Sequence, residues 1–215
     1  MSPSPKDSIP DLLLRNVPRE LMMSVEDALR VGAQRAFFAS EGMDSGHLPS
    51  ALGQQRHFHM NETFHRALAM VDAKPTAIRG NRVITGRSGI VNLARFNSNI
   101  KSWNNSRRSL TRRQMSLVNQ AIEPLVLGDL FDEYRSPSDV TAFFVATFSG
   151  SLRDQPEMPL SIQIAVPDRM MQGWLFKEPV QLFVQRYEKE ADQFDGAKPR
   201  LKVQKKTQDP DDSAS

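Results

Sequence analysis

Val140-Thr-Ala-Phe-Phe-Val-Ala-Thr-Phe148 is an uncharged run of β-branched, aromatic and small residues without a turn former. Such a run predicts a central strand buried on both faces. Beyond it, Leu160, Ile162, Ile164 and Val166 alternate with Ser161, Gln163 and Ala165, the two-residue period of a half-buried strand. Gly150 to Pro159 then joins the two as a long hairpin loop. Upstream, Val83 and Ile84 precede Gly86-Arg-Ser-Gly89, and Ile90, Val91 and Leu93 follow. Two short strands about a Gly-Arg-Ser-Gly turn predict a second hairpin.

Helical patterns surround these strands. Pro18 suits a first turn, Asn16 suits a cap, and Leu21, Val25, Ala28, Leu29, Gly32, Ala33 and Ala36 recur at helical spacing to about residue 40. Asn61 is taken as the cap of a second helix carrying Phe64, Ala67, Leu68 and Val71, stopped by Lys74-Pro75. Thr111 and Gln114 have capping-box spacing, and Leu110, Gln114, Leu117, Val118, Ala121 and Ile122 share one face before Pro124. A last helix opens at Pro179 and turns Val180, Phe183, Val184, Tyr187 and Ala191 inward. The order is helix, helix, hairpin, helix, hairpin, helix. It predicts a single α+β domain, with an antiparallel sheet of about four strands from two hairpins packed with about four helices. Residues 1–15 are read as a flexible lead-in, 16–195 as the domain and 196–215 as a disordered charged tail.

Composition narrows the function. The chain has 215 residues, 39% of them hydrophobic, enough for one real core. Cysteine is absent, which excludes a disulfide framework, a cysteine nucleophile, thiolate zinc and cysteine-ligated iron–sulfur sites. Apolar runs are only a few residues long, so no membrane partner is expected. Met1-Ser-Pro-Ser-Pro-Lys-Asp7 lacks the apolar core of a secretory signal, and a soluble cytoplasmic protein is expected.

The net charge of +3 hides a strong segregation. Residues 73–122 carry 10 basic residues and no acid, whereas residues 123–195 carry 13 acids and 6 bases. A single-sign field usually steers an oppositely charged partner. The alternative is that the two blocks pair within the chain.

The sharpest part of the basic block is Asn97 to Arg113. Lys101, Arg107, Arg108, Arg112 and Arg113 suit phosphates, and Asn104 and Asn105 suit phosphate oxygens or base edges. Trp103 and Phe96 offer faces for stacking on unpaired bases. A helix beginning after Thr111 would add free N–H groups. Arg82 and Arg87 lie among Gly80, Gly86 and Gly89, a weaker signal for a phosphate nest that matches neither common glycine-rich phosphate motif. No cofactor is implied.

All four histidines fall between His47 and His65. If the chain is extended there, His57 and His59 share a face, with Glu62 or His65 as a further ligand or general base. If residues 50–70 form one helix, His57 and His59 diverge by about 200°. Asp129, Asp132, Glu133 and Asp139 invite a Mg²⁺ reading, but a short exposed connection is the simpler one. The expected function is thus nucleic-acid or other polyanion binding through residues 82–113. Two alternatives are an enzyme on a phosphorylated or nucleotide substrate at His57, His59, Glu62 and His65, and an interaction module such as an antitoxin, inhibitor or adaptor meeting an acidic protein partner.

Overall fold

The structure is a computed structural model describing residues 8–100, 107–127, 137–149 and 155–194. Helix α1 (Ile9–Asn16) opens on a capping box, with Ser8 Oγ accepting from Asp11 N and Asp11 Oδ2 accepting from Ser8 N. Its Ile9, Leu12 and Leu13 are buried. The fold therefore begins inside the stretch taken as a lead-in. The expected cap Asn16 ends this helix instead, its Nδ2 donating to Leu12 O.

Helices α2 (Arg19–Phe38) and α3 (Leu48–Met70) pack tightly on one another. Asn61, expected to begin a helix, sits in the middle of α3. The buried stripe of α3 is Leu52, Arg56, Met60, Phe64 and Ala67, and an arginine within it masks the apolar period.

The sheet has five strands in the order β1 (Thr85–Ser88), β2 (Val91–Asn99), β3 (Val140–Phe148), β4 (Ser161–Pro167) and β5 (Trp174–Pro179). Both expected hairpin pairs, β1–β2 and β3–β4, are antiparallel. The expectation of a wholly antiparallel, four-stranded sheet is corrected: β2 and β3 run parallel from Val91↔Val140 to Asn99↔Phe148. Their connection is long enough to carry the chain back across the sheet and includes helix α4 (Leu110–Ser116), a 3₁₀ turn (Leu117–Ile122) and helix α5 (Pro124–Leu127). The fifth strand contains Lys177, Glu178 and Pro179, which hide it in sequence but suit an edge. Helix α6 (Val180–Phe194) follows it directly.

The β1–β2 turn is Gly89-Ile90; Gly86, Arg87 and Ser88 lie within β1. Gly89 has φ +54, a positive value at the first turn position that suits glycine. Asn16 Oδ1 accepts from Ile90 N and fastens the turn to α1.

The sheet is covered on both faces. Val91, Leu93, Ala142, Phe144, Ile162 and Ile164 face helices α1, α2, α3 and α6. Ala94, Phe96, Phe143, Val145 and Ala165 face the opposite way, with Met115 of α4 and Trp174 against them. Strand β3 is thus buried on both sides, as its composition predicts. Helix α4 departs from expectation: Ser109, not Thr111, is its cap, and Leu110 and Leu117 point outward. Among the described residues no helix is long and apolar enough to cross a membrane.

Candidate anion-binding interface

The basic block folds onto the α4 side of the sheet. Arg107, Arg108 and Arg113 line a cleft of about 340 Å³ with Met170 and Gln172 from the β4–β5 connection. Arg82 lines a second hollow of about 610 Å³ with Asn81, Val83, Thr85, Thr111 and Met115. All four arginines are exposed.

The other expected members separate from them. Arg87 is drawn into the fold, with Nη1 2.7 Å from Asp139 Oδ1 and Nε donating to Gly89 O at 3.1 Å. It ties the β1–β2 turn to the start of β3. Arg112 lies over the Phe96 ring, 4.5 Å from its centroid, and burial lowers its pKa. The expected helix-end contribution is small, because α4 has only seven residues and Ser109 Oγ already accepts from Arg112 N. Lys101, Trp103, Asn104 and Asn105 lie outside the described residues, as do Asp129, Asp132 and Glu133.

Elsewhere four arginines find carboxylates, Arg19 with Glu188, Arg30 with Glu26, Arg169 with Glu123 and Arg186 with Glu178, whereas the exposed Arg35, Arg66 and Arg79 have no ion pair among the described residues. Arg82, Arg107, Arg108 and Arg113 form no ion pair among the described residues. Among the described residues, pairing between the basic and acidic blocks is realised at Arg87–Asp139 and not at these four.

His57, His59 and His65 lie in one continuous helix, with His47 as its N-cap residue, so His57 and His59 project about 200° apart. His59 Nδ1 is 3.9 Å from Glu62 Oε2, and both line a hollow of about 330 Å³ with Asn61 and Gly80. His57 turns instead to Asn61, whose Nδ2 is 3.2 Å from His57 Nε2. His47 lines a separate hollow with Met43 and Ser50, and His65 lines neither. The extended His-x-His arrangement is therefore not formed. No group of three metal-ligating side chains occurs among the described residues.

Arg95 went unnoticed in the sequence. It lies in β2 on the face of Val91 and Leu93, and it is only 6% exposed. Its guanidinium donates from Nε to Asn61 Oδ1 at 2.9 Å, from Nη1 to Asn97 Oδ1 at 2.8 Å and from Nη2 to His57 O at 3.0 Å. Every partner is neutral. Burial, and secondarily the charge of Arg112, push its pKa down to about 9. His57 is lowered too, first by burial and then by Arg95 and Arg112. Arg56 is a second buried arginine, stacked 4.0 Å from the Phe148 ring centroid and bonded to Gln155 Oε1 and Pro156 O. A signal was present: Arg95 has the parity of Leu93 within a strand, which places it inward.

No family model matches the chain, and the curated proteins and solved structures likewise give no match.

Proposed function

We propose that the protein binds nucleic acid through the α4 face, with Arg82, Arg107, Arg108 and Arg113 as its phosphate-binding residues. The supporting observation is that four exposed arginines with no ion pair among the described residues gather beside α4, three of them lining one cleft and the fourth a hollow that α4 also lines. Lys101, Trp103, Asn104 and Asn105, in the connection between β2 and α4, are proposed to add a charge, a stacking face and polar groups on the strength of their chemistry. Arg87 and Arg112 are withdrawn from the phosphate-binding set, since one is ion-paired and the other packed on Phe96.

Fluorescence anisotropy with labelled single- and double-stranded DNA and RNA, repeated across salt concentrations, tests this. Removing one phosphate-neutralising arginine should flatten the log–log salt slope by roughly 0.7–0.9. The R107A/R108A/R113A variant is expected to weaken binding for every sequence and flatten the slope, whereas R87A should leave the slope unchanged. Unaltered affinity in the triple variant rejects the reading.

One observation favours an acidic protein partner as the second reading. Leu110 and Leu117 are 65% and 54% exposed on either side of Arg113, an apolar and basic surface together. The L110S/L117S variant separates the two: it should release a protein partner in gel filtration and leave nucleic-acid affinity intact.

A further inference from the structure

Helix α3 and residues 78–80 enclose a hollow of about 330 Å³ whose lining mixes apolar surface with hydrogen-bonding groups. Gln55, Phe58, His59 and Glu62 recur at i, i+3, i+4 and i+7, so they form one stripe along α3, the first wall. Ile78 and Gly80 form the second. A tight turn holds that wall, with Arg82 N donating to Arg79 O at 3.1 Å and Gly80 at φ +51. Phe58 and Ile78 are 37% and 48% exposed, so each wall offers apolar surface. The buried amide of Asn61 also reaches the hollow.

No lysine or arginine is among the described residues that line it, and Glu62 places a carboxylate there, which keeps a phosphate out. His59 Nδ1, 3.9 Å from Glu62 Oε2, is beyond hydrogen-bond distance, so the carboxylate keeps its acceptor positions. Outside the hollow the charge reverses. Arg79 stands between Ile78 and Gly80 in the loop wall, and Arg66 lies about one helical turn beyond Glu62. Both are exposed and have no ion pair among the described residues. Arg82, which closes the same turn, lines the neighbouring hollow of the α4 face. An ammonium ligand would suit Glu62 and Phe58, but these arginines oppose it. A neutral planar group with N–H donors, carried on a phosphate, suits the hollow and its rim together.

We infer that this hollow binds an unpaired guanine base, on a nucleotide whose phosphate lies toward Arg79. Unstacked bases are held between apolar faces and by hydrogen bonds to the Watson–Crick edge. Guanine presents two adjacent donors on that edge, N1–H and the N2 amino group, and the Glu62 carboxylate accepts both. Adenine and cytosine present one amino group beside a bare ring nitrogen, which a carboxylate repels. Uracil presents one N–H between two carbonyls. The amides of Gln55 and Asn61 supply donors for the guanine O6. For a base within a strand the inference rests on the nucleic-acid reading above; a free guanine nucleotide offers the same chemistry without it.

Anisotropy of the full chain with two labelled oligouridylates, one carrying a central G and the other a central A, provides the test, together with thermal unfolding in GMP and in AMP. The G strand should bind at least about fivefold tighter at equal salt. GMP should raise Tm by about 2 °C or more, and AMP should not. Inosine in place of G lacks the N2 amino group and should lose most of the preference. E62Q relieves repulsion of every strand, so the ratio is its readout: the G-over-A preference should fall to about one. F58A should weaken the G strand and spare duplex RNA. R107A/R108A/R113A should weaken both strands and leave their ratio unchanged, so the two readings fail separately. A preference between strands identifies a base within a chain; a GMP response without it identifies a free nucleotide. Equal binding of the two strands with equal Tm in GMP and AMP overturns the inference, whatever the salt slope. A G preference or GMP response that persists in E62Q overturns it too.

Discussion

Arg95 Nε donates to Asn61 Oδ1 over 2.9 Å and so joins β2 to α3 across 34 residues of chain. Asn61 is 5% exposed and turns its other amide atom to His57 Nε2. The bond to Arg95 fixes which end of the amide faces which neighbour, because the guanidinium needs an acceptor. One side chain therefore serves a buried charge and a histidine together.

Asn61→Leu keeps the volume and removes both functions. Arg95 Nε is then left buried without a partner. A hydrogen bond to a charged group is worth about 1.5–3 kcal/mol, and the variant should lose about 2–3 kcal/mol. Urea unfolding should show a lower midpoint with an unchanged slope, which separates lost stability from a changed denatured state.

Two helical glycines should respond with opposite sign to Ala. At Gly32 in α2, an added Cβ would lie 2.5 Å from Thr63 Oγ1 and 2.7 Å from Met60 Cα of α3. Backbone cannot yield cheaply, so G32A should cost about 1–3 kcal/mol despite better helix propensity. At Gly53 in α3 nothing lies within 4 Å of the added atom. G53A should stabilise by about 0.5–1 kcal/mol. Thermal or urea unfolding of the two variants checks the pair.

The strands were legible where one residue type dominated. Val140–Phe148 is uncharged and mostly apolar because both its faces are covered, and Ser161, Ile162, Gln163 and Ile164 alternate between half-buried and buried. Parallel pairing of β2 with β3 was not legible. Hairpins announce themselves through local turns, whereas a crossover is set by how a long connection packs. Helix α3 was misjudged because Arg56 and Asn61 occupy inward positions that an apolar count rejects. The same residues explain the gap at the site. The exposed basic face was visible as a charge excess, but the partners of Arg95 come from β2 and α3, far apart in the chain. Only the inward parity of Arg95 hinted at them.

Asn119 offers a stability test at the far end of the sheet. Buried in the 3₁₀ turn after α4, it donates Nδ2 to Thr141 O at 3.0 Å and Pro167 O at 2.8 Å, and accepts from Thr141 N at 2.7 Å. It holds the start of β3 and the end of β4 together where no strand pairing does. N119A leaves three buried backbone groups short of partners, at about 1–3 kcal/mol for each such group before relaxation. A loss of about 3 kcal/mol or more is expected, with earlier amide exchange at Thr141 than in the rest of β3.

Acid should destabilise the fold through His57. Its Nε2 accepts from Asn61, the Phe58 ring packs edge-on, and Arg95 and Arg112 are the charges facing it. Burial first and these cations second lower its pKa from 6.5. As pH falls through about 6.5 the unfolded chain takes up a proton that the folded chain still refuses. The unfolded state then binds more protons, so stability is fully present above that value and declines until the folded-state pKa is passed. His57→Gln keeps a hydrogen-bonding side chain without the titration. It should flatten this part of the curve of Tm against pH, and a slope identical to wild type between pH about 6.5 and 5 would reject the assignment. In N61D the histidine instead gains a carboxylate neighbour, which opposes the lowering, so the acid sensitivity should diminish.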